Sequence, residues 1–273
     1  TKAQSPNSLI VFWFRSTISS PASSRSSMAS TASRVRLLAK IMEKFESVGV
    51  AGVHGKTTTT SMLAFILKQA GFSPSYTIGT SDIPGLDGNS HIGDGKYFVA
   101  EADEYKKSDL NHQATFLDLP LKHVIITSIE LDHPDIYATA EQVYSVFYQL
   151  TSKIPRGGTI VACTDWPLVK RLVNRCVDRT ILSYGFEPGA NYQVTDVTMA
   201  ERTTFSIKTA EATIGPITIQ IPGKHNILNA TAATLMAINL GVSVAAVIRA
   251  LASFQGPKRR FELLGEYNGA TII

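Results

Sequence analysis

The feature that most limits what this chain can fold into is a glycine-rich turn, Gly52-Val53-His54-Gly55-Lys56-Thr57-Thr58. It follows a short apolar run at residues 47–51 and precedes a helical pattern over residues 57–70. Glycines let backbone N–H groups approach phosphate oxygens closely, and the N-terminus of the helix adds the positive end of its dipole. A strand, a turn of this composition and a helix in this order predict a phosphate-binding loop.

Two residues of the loop are candidates for direct contact with a nucleotide. Lys56 would reach the β- and γ-phosphates, and the Thr57 hydroxyl would be a ligand of Mg²⁺. The strict P-loop pattern has a further glycine where this chain has Val50, so the loop is of a shortened Gly-x-x-Gly-Lys-Thr type. An ordinary glycine-containing turn is the alternative, which the strand–turn–helix order disfavours. The predicted nucleotide-binding set of the loop also includes Gly52, His54, Gly55 and Thr58.

Apolar runs and helical patterns alternate from residue 47 to residue 184. The runs lie at residues 47–51, 96–100, 123–128, 159–163 and 180–184, and the helical patterns at residues 57–70, 140–151 and 167–175. This alternation predicts an α/β fold of the P-loop NTPase type, with a mostly parallel sheet flanked by helices. Residues 191–221 contain only short β-rich runs, which predict a small antiparallel sheet appended to it. Two helices, at residues 227–240 and 244–254, are expected to close the chain.

Polar residues follow two more of the predicted strands. Glu101-Ala102-Asp103-Glu104 comes directly after the run at 96–100, and His133 comes shortly after the run at 123–128. In a parallel sheet, ligands gather at the carboxyl ends of the strands, and carboxylate oxygens suit Mg²⁺. Glu101 is therefore a predicted metal ligand, together with Thr57. For His133, metal binding and a structural role both remain open, as they do for the other two acidic residues.

Two later segments are further candidates for contact with a nucleotide. Asn226 and Asn229 are one turn apart at the start of a predicted helix, so their amides share a face and offer donors and acceptors to an adenine edge. Capping of the helix by His225 or Asn226 is the competing interpretation. Lys258-Arg259-Arg260-Phe261 could supply a guanidinium to a phosphate or carboxylate, although a solvated basic cluster is the default interpretation.

The net charge of +4 comes from the N-terminal region. Residues 1–40 contain six Lys and Arg and no acidic residue, which leaves 20 basic against 22 acidic residues in the remainder. The charge therefore does not indicate nucleic-acid binding. Residues 1–33 are rich in Ser and Arg and are expected to be a disordered or aberrant tail, with a transit peptide as the alternative. The longest apolar run near the start, residues 9–14, is too short for membrane insertion.

The chain has two cysteines, Cys163 and Cys176. Two cysteines make neither a disulfide framework nor a zinc cluster. This cysteine usage predicts a reducing, cytoplasmic compartment.

Five blocks of the sequence resemble, in order, blocks of the Mur ligase family, the ATP-dependent amide-bond ligases of peptidoglycan synthesis. They lie at residues 51–60, 101–104, 129–133, 223–230 and 254–261. The resemblance covers residues 34–266, which correspond to the central ATP-binding domain of the family. Residues 267–273 would then be the start of a truncated C-terminal ligase domain, and the chain is expected to be a fragment that is inactive by itself.

The resemblance implies a role for each candidate residue. Lys56 and Thr57 would hold the γ-phosphate and Mg²⁺, and Glu101 and His133 would be metal ligands. His225, Asn226 and Asn229 would belong to the nucleotide site, with the two asparagines facing adenine, and Arg260 would contact the phosphates or the ribose. The residues that act in catalysis would be Lys56, Glu101, His133 and Arg260.

The resemblance also implies a reaction. A carboxylate of a UDP-linked muramyl substrate would attack the γ-phosphate of ATP to form an acyl phosphate. The amino group of a free amino acid would then displace phosphate and form the amide. The blocks are most similar to the branch that adds L-alanine to UDP-N-acetylmuramate. A branch that recycles murein tripeptide is the alternative, because Glu104-Tyr105 and residues 265–269 look like its versions.

Departures from the family pattern bear mainly on the muramyl side of the site. Ser128 stands where the family usually has Asn, and Tyr105-Lys106-Lys107 interrupts the usual run after the acidic block. The Gly-rich UDP-binding domain is not recognisable in residues 1–33. A non-catalytic ATP-binding module is therefore a second hypothesis. A folylpolyglutamate or cyanophycin synthetase is a third, and the His-bearing loop around His54 argues against the folate branch.

Overall fold

A ten-stranded sheet lies at the centre of the part of the chain that the structure describes. The computed structural model describes residues 35–80, 82–104, 106–108, 111–132, 136–176, 178–257, 265–267 and 270–272. The strands are β1 Glu46–Ala51, β2 Ser75–Thr77, β3 Ser90–His91, β4 Tyr97–Glu101, β5 Lys106–Ser108, β6 Asn111–Ala114, β7 His123–Ile126, β8 Thr159–Cys163, β9 Thr180–Gly185, β10 Tyr192–Met199, β11 Thr203–Lys208, β12 Thr213–Ile219, β13 Gly265–Tyr267 and β14 Ala270–Ile272. The predicted tail over residues 1–33 lies outside the described residues.

Within the described ranges, five α-helices connect or follow the strands. They are α1 Lys56–Gln69, α2 Ala140–Lys153, α3 Pro167–Val173, α4 Lys224–Asn239 and α5 Val244–Ser253. A 3₁₀ helix spans Thr115–Asp118, and a helical segment at residues 35–42 precedes β1. None of the helices in the described ranges is long and apolar enough to cross a membrane.

The strand order confirms the predicted α/β architecture. The order is β12-β11-β10-β9-β8-β7-β1-β4-β2-β3, and all neighbours from β10 to β2 run parallel. The expected antiparallel strands are present as β10, β11 and β12, and they continue the main sheet because β10 pairs in parallel with β9. Two separate hairpins, β5–β6 and β13–β14, complete the pairing.

Helices cover both faces of the sheet, which explains why its central strands read as continuous apolar runs. One buried cluster joins the sheet to α1, α4 and α5, and the other joins it to α2 and α3. Helix α1 is buried from Thr57 to Leu67 because it packs between the sheet and α4. The phosphate-loop helix is thus a central element of the fold.

The register of the central strands sets the position of the site. β1 lies between β4 and β7, with Val50 beside Glu101 and Ala51 beside Ile126. The carboxyl ends of these three strands therefore meet at one edge of the sheet. The sequence predicted the third strand to run to residue 128, but β7 ends at Ile126 because the next two residues bond to the loop after β1.

A candidate nucleotide-binding site

The loop between β1 and α1 is tightly enclosed by two other elements. Gly52 and Gly55 have φ angles of 134° and 82°, in the region that favours glycine. A Cβ atom at Gly52 would collide with the side chain of Thr127, and one at Gly55 would collide with the amide of Asn229. The glycines are thus required both by the backbone conformation and by the close approach of β7 and α4.

Two residues that follow β7 hold the loop in place. The Thr127 hydroxyl donates to the carbonyl oxygen of His54, and the His54 N–H donates to Ser128 Oγ at 2.9 Å. The Val53 N–H also donates to the Ser128 carbonyl oxygen, at 3.4 Å. In the sequence, Ser128 stands out only as a departure from the family pattern. The available signal was its position, directly after a buried strand next to the loop-bearing strand.

The Lys56 side chain curls back over the loop. Its Nζ donates to the Gly52 carbonyl oxygen at 2.7 Å and lies 3.2 Å and 3.1 Å from the two carboxylate oxygens of Glu104. A carboxylate oxygen of Asp103 is 3.6 Å away. The ammonium group therefore lies over the glycine loop, where it is paired with acidic residues of the segment after β4, and its predicted contact with phosphates stays a prediction.

Thr57 and Glu101 lie directly together beneath the loop. Thr57 Oγ1 donates to Glu101 Oε2 at 3.1 Å, and the Gly79 N–H donates to Glu101 Oε1 at 2.6 Å. Burial raises the pKa of the Glu101 carboxyl above its usual value. The hydrogen bond from Gly79 opposes this rise, and the charge of Asp103 adds to it. A nearby cation would therefore stabilise the charged form of this carboxyl.

The hydroxyl of Thr57 and the carboxylate of Glu101 suit Mg²⁺, which needs few ligands from the protein. Magnesium is usually held by one or two carboxylates together with water and substrate phosphates. Thr57 and Glu101 supply a hydroxyl and a carboxylate in contact with each other. In the described ranges there is no group of three or more His, Cys, Asp and Glu side chains that could hold a metal. His133 lies outside the described residues, so its predicted metal role stays a prediction.

His54 lies at the rim of the site. Its side chain is 65% exposed, and its Nε2 is 2.5 Å from a carboxylate oxygen of Glu130. The ring centroids of His54 and Trp166 are 6.3 Å apart. Thr58 is buried in the first turn of α1, where its side chain does not face solvent.

The start of α4 forms the opposite wall. Asn229 Nδ2 donates to Asn226 Oδ1 at 3.2 Å, and Asn226 Nδ2 donates to the Pro222 carbonyl oxygen at 2.6 Å. The two amides share a face, as the spacing indicated, and they are bonded to each other. The N-cap residue is Gly223, which makes no side-chain cap. Neither His225 nor Asn226 is therefore the N-cap of this helix.

A cavity of about 320 Å³ lies between the loop and α4. It is lined by His54, Gly55, Thr127, Ser128, Trp166, Tyr184, His225, Leu228 and Asn229. Asn226 orients Asn229 through the bond between their amides, and the predicted contact of Asn226 with adenine stays a prediction. Trp166 and Tyr184 were not identified from the sequence. Their signal was their place near the carboxyl ends of β8 and β9, where ligands of parallel sheets collect.

Arg260 also lies outside the described residues, and its predicted contact with phosphate or ribose stays a prediction. The other predicted residues, from the loop, β4 and α4, meet at one edge of the sheet. That edge combines a glycine loop, an ammonium group, a hydroxyl–carboxylate pair and an aromatic cavity. The arrangement can bind a phosphorylated ligand that carries a planar ring system.

Comparison with known proteins gives consistent matches. Residues 50–237 match the model of a family described as the Mur ligase middle domain. A UDP-N-acetylmuramate–L-alanine ligase of Bradyrhizobium sp. strain BTAi1 is 39% identical over 247 residues, which cover 88% of this chain and 51% of that protein. The chain therefore spans about half the length of the relatives it matches.

Solved structures of ligases are similar in fold. A UDP-N-acetylmuramate-alanine ligase from Thermotoga maritima has a TM-score of 0.72 and 26% identity, covering 86% of this chain and 51% of that one. A UDP-N-acetylmuramate:L-alanyl-gamma-D-glutamyl-meso-diaminopimelate ligase from Neisseria meningitides has a TM-score of 0.74 and 25% identity, covering 82% and 71%.

Proposed function

The chain belongs to the Mur ligase family, and from this premise we propose that it is the ATP-binding middle domain of an enzyme that joins L-alanine to UDP-N-acetylmuramate. The similarity to L-alanine ligases over 88% of the chain supports this assignment. The observation that carries it is the position of Lys56 over the glycine loop, at the same sheet edge as the Thr57–Glu101 pair. This is an arrangement for holding a nucleoside triphosphate.

The proposed reaction couples two displacements. An oxygen of the muramyl carboxylate attacks the γ-phosphorus, the bond to the bridging oxygen breaks, and ADP leaves. The nitrogen of the amino acid then attacks the acyl carbon, loses a proton, and phosphate leaves as the amide forms. In such reactions the protein acts mainly by placing the reactants and by stabilising charge on the transferring group.

Lys56 and the loop contribute the charge and the donors for the phosphates. The Val53 and His54 N–H groups are already bonded to Ser128, so the phosphates would be held by N–H groups of the first turn of α1, where the helix dipole favours negative charge. The Lys56 ammonium is held at the same place by the Gly52 carbonyl oxygen. Because the loop is fixed by Thr127 and Ser128, little reorganisation is needed when the phosphates bind.

Thr57 and Glu101 would hold Mg²⁺ beside the phosphates. When bound, the ion would neutralise charge on the phosphate oxygens. Glu101 is held in place by the Gly79 N–H, and a cation would offset the burial that raises the pKa of this carboxyl. His133 is proposed as a third ligand on the basis of the family resemblance.

The base of the nucleotide would occupy the cavity between the loop and α4. Trp166 offers an aromatic face there, and the Asn229 amide lies against Gly55 at the inner wall. Stacking on an aromatic side chain is a sequence-tolerant way to hold a base. Free thiols at Cys163 and Cys176 agree with the proposed reducing, cytoplasmic location.

A tripeptide-recycling ligase is the second candidate function. The Neisseria ligase, whose name includes a tripeptide, matches this fold with a TM-score of 0.74, against 0.72 for the Thermotoga L-alanine ligase. The two solved structures are 26% and 25% identical to this chain and do not separate the candidates, whereas the curated relatives at 36–40% identity are named as L-alanine ligases, which favours the first candidate. Restoring the flanking regions and comparing L-alanine with the tripeptide as acceptor would separate the two.

Calorimetric titration with ATP and Mg²⁺ tests the nucleotide site. Lys56→Ala is made in a Glu104→Gln background, so that no buried carboxylate is left unpaired. Relative to Glu104→Gln alone, we expect a loss of about 2–4 kcal/mol in binding free energy, because phosphate charge loses its partner. Lys122→Ala, which removes a lysine paired with Glu46 at the opposite end of the strands, is the matched control. Equal affinities for all variants would contradict the phosphate-loop assignment.

A further inference from the structure

Glu104 is the most deeply buried acidic residue of the site. Its side chain is 2% exposed, and both carboxylate oxygens are within 3.2 Å of Lys56 Nζ. Its carbonyl oxygen accepts a hydrogen bond from the Tyr137 hydroxyl at 2.7 Å. The carbonyl oxygen of Asp103 accepts from the N–H of Phe116 and the hydroxyl of Thr115. The carboxylate is therefore presented to Lys56 from a fixed backbone.

The Lys56 ammonium is already paired before any nucleotide binds. An ammonium group has three N–H donors. One is directed to the Gly52 carbonyl oxygen at 2.7 Å, and the carboxylate of Glu104 lies against the others. A phosphate oxygen that approaches the loop must share this ammonium with Glu104. It must also approach a negative charge held in a part of the site with little exposure to water, where charges interact more strongly.

On the basis of the proposed function, we propose that Glu104 is a positioning residue that holds Lys56 and lowers the affinity of the loop for nucleotide phosphates. Two effects act in this direction, namely competition for the ammonium and repulsion of the phosphates. Pre-orientation of Lys56 acts in the other direction. Pre-orientation is the weaker effect, because the bond to Gly52 keeps the ammonium over the loop when a neutral side chain replaces Glu104.

Replacement of Glu104 by its neutral isostere tests the proposal. Glu104→Gln keeps the shape and one acceptor oxygen but removes the charge. In calorimetric titrations we expect it to bind ATP with Mg²⁺ about tenfold more tightly than the unmodified chain, equivalent to about 1.4 kcal/mol. Glu104→Asp, which keeps the charge, should stay closer to the unmodified chain. Glu46→Gln removes a carboxylate paired with Lys122 at the opposite sheet edge and should change nothing.

A second measurement needs no nucleotide. Competitive labelling with an amine-reactive reagent, read by mass spectrometry, compares Lys56 with Lys122 in the same folded sample. We expect Glu104→Gln to increase the labelling rate of Lys56 several-fold and to leave that of Lys122 unchanged, because only Lys56 loses its carboxylate partner and retains the single bond to Gly52. An unchanged rate for Lys56 would show that Glu104 does not hold it.

The two measurements separate failure of the inference from failure of the proposed function. If the unmodified chain binds ATP with Mg²⁺ and Glu104→Gln binds it equally or less tightly, the inference is wrong and the nucleotide site stands. If the unmodified chain does not bind ATP, the proposed function fails. The labelling of Lys56 then still decides whether Glu104 restrains the lysine.

Discussion

Trp166 adds a large aromatic side chain to the cavity beside the glycine loop. It directly precedes α3 and is partly buried. Its side chain packs against both buried clusters. The proposed phosphate contacts of the loop would not depend on the base of the nucleotide. The indole ring, in contrast, can contribute only to ligands that carry a base.

Trp166→Ala is therefore expected to weaken ATP binding without weakening the binding of inorganic tripolyphosphate. Loss of one base–aromatic stack costs about 1–3 kcal/mol, which corresponds to at least a several-fold loss of ATP affinity. Trp166→Phe should keep most of the affinity, because it retains an aromatic face. Calorimetry with both ligands makes the comparison, and circular dichroism checks that each variant is folded. Parallel losses for ATP and tripolyphosphate would place Trp166 outside the base site.

The candidate residues that could be proposed from the sequence belong to short local motifs, whereas those that could not be proposed depend on contacts between distant segments. Lys56 and Thr57 could be predicted because the loop pattern itself defines their chemistry. The pairing of Lys56 with Glu104 joins residues 48 positions apart and depends on the strand order. Trp166 carries no polar group that marks it as a ligand contact. Its place beside the cavity becomes visible only when β8 and the loop lie at the same sheet edge, and its contact with a base is a proposal.

At the scale of elements, His123 links β7 to β8. Its Nδ1 accepts the Thr159 N–H at 3.1 Å, and the residue is 5% exposed. Burial, with a smaller contribution from the charge of Lys122, lowers the pKa of His123 to about 4, from an ordinary value of 6.5. The folded chain therefore keeps this imidazole neutral at pH values where the unfolded chain protonates it.

The sign of the resulting pH dependence follows from proton binding. Between pH 6.5 and pH 4 the unfolded state binds more protons at His123, so stability falls as the pH falls. The loss is at most about 3 kcal/mol below pH 4. His123→Gln keeps an acceptor for Thr159 without titrating, so its stability should decline less over this range. Urea unfolding of both proteins at several pH values measures the difference, and parallel pH profiles would refute the assignment.

The elements themselves were more predictable than their arrangement. The existence of α1, β8 and the alternating pattern followed from local periodicity and composition. The order β7-β1-β4 depends on pairings between distant segments, which no local pattern encodes. The continuation of the parallel sheet into β10–β12 depends on the contact of β10 with β9, and the sequence indicated only that these strands were short and β-rich.

At the scale of the whole molecule, the candidate nucleotide-binding groups among the described residues lie together, whereas groups for the other two proposed reactants stay unassigned. The candidate groups comprise the glycine loop with Lys56, the Thr57–Glu101 pair and the cavity beside α4, all at one sheet edge. The matched part of this chain covers about half of each relative whose name states L-alanine ligation. ATP binding and amide formation should therefore be separable in this molecule.

We expect the 273-residue chain to bind ATP with Mg²⁺ but to release little or no phosphate in response to L-alanine and UDP-N-acetylmuramate. Holding reactants together can lower a barrier by about 7–11 kcal/mol, and most of that is lost when the muramyl carboxylate and the amine are not held. A phosphate-release assay with each candidate amino acid measures this, and calorimetry on the same preparation confirms that the nucleotide site is intact. Robust turnover that depends on one amino acid would overturn the expectation. It would also require that the chain holds the acceptor through residues not yet identified.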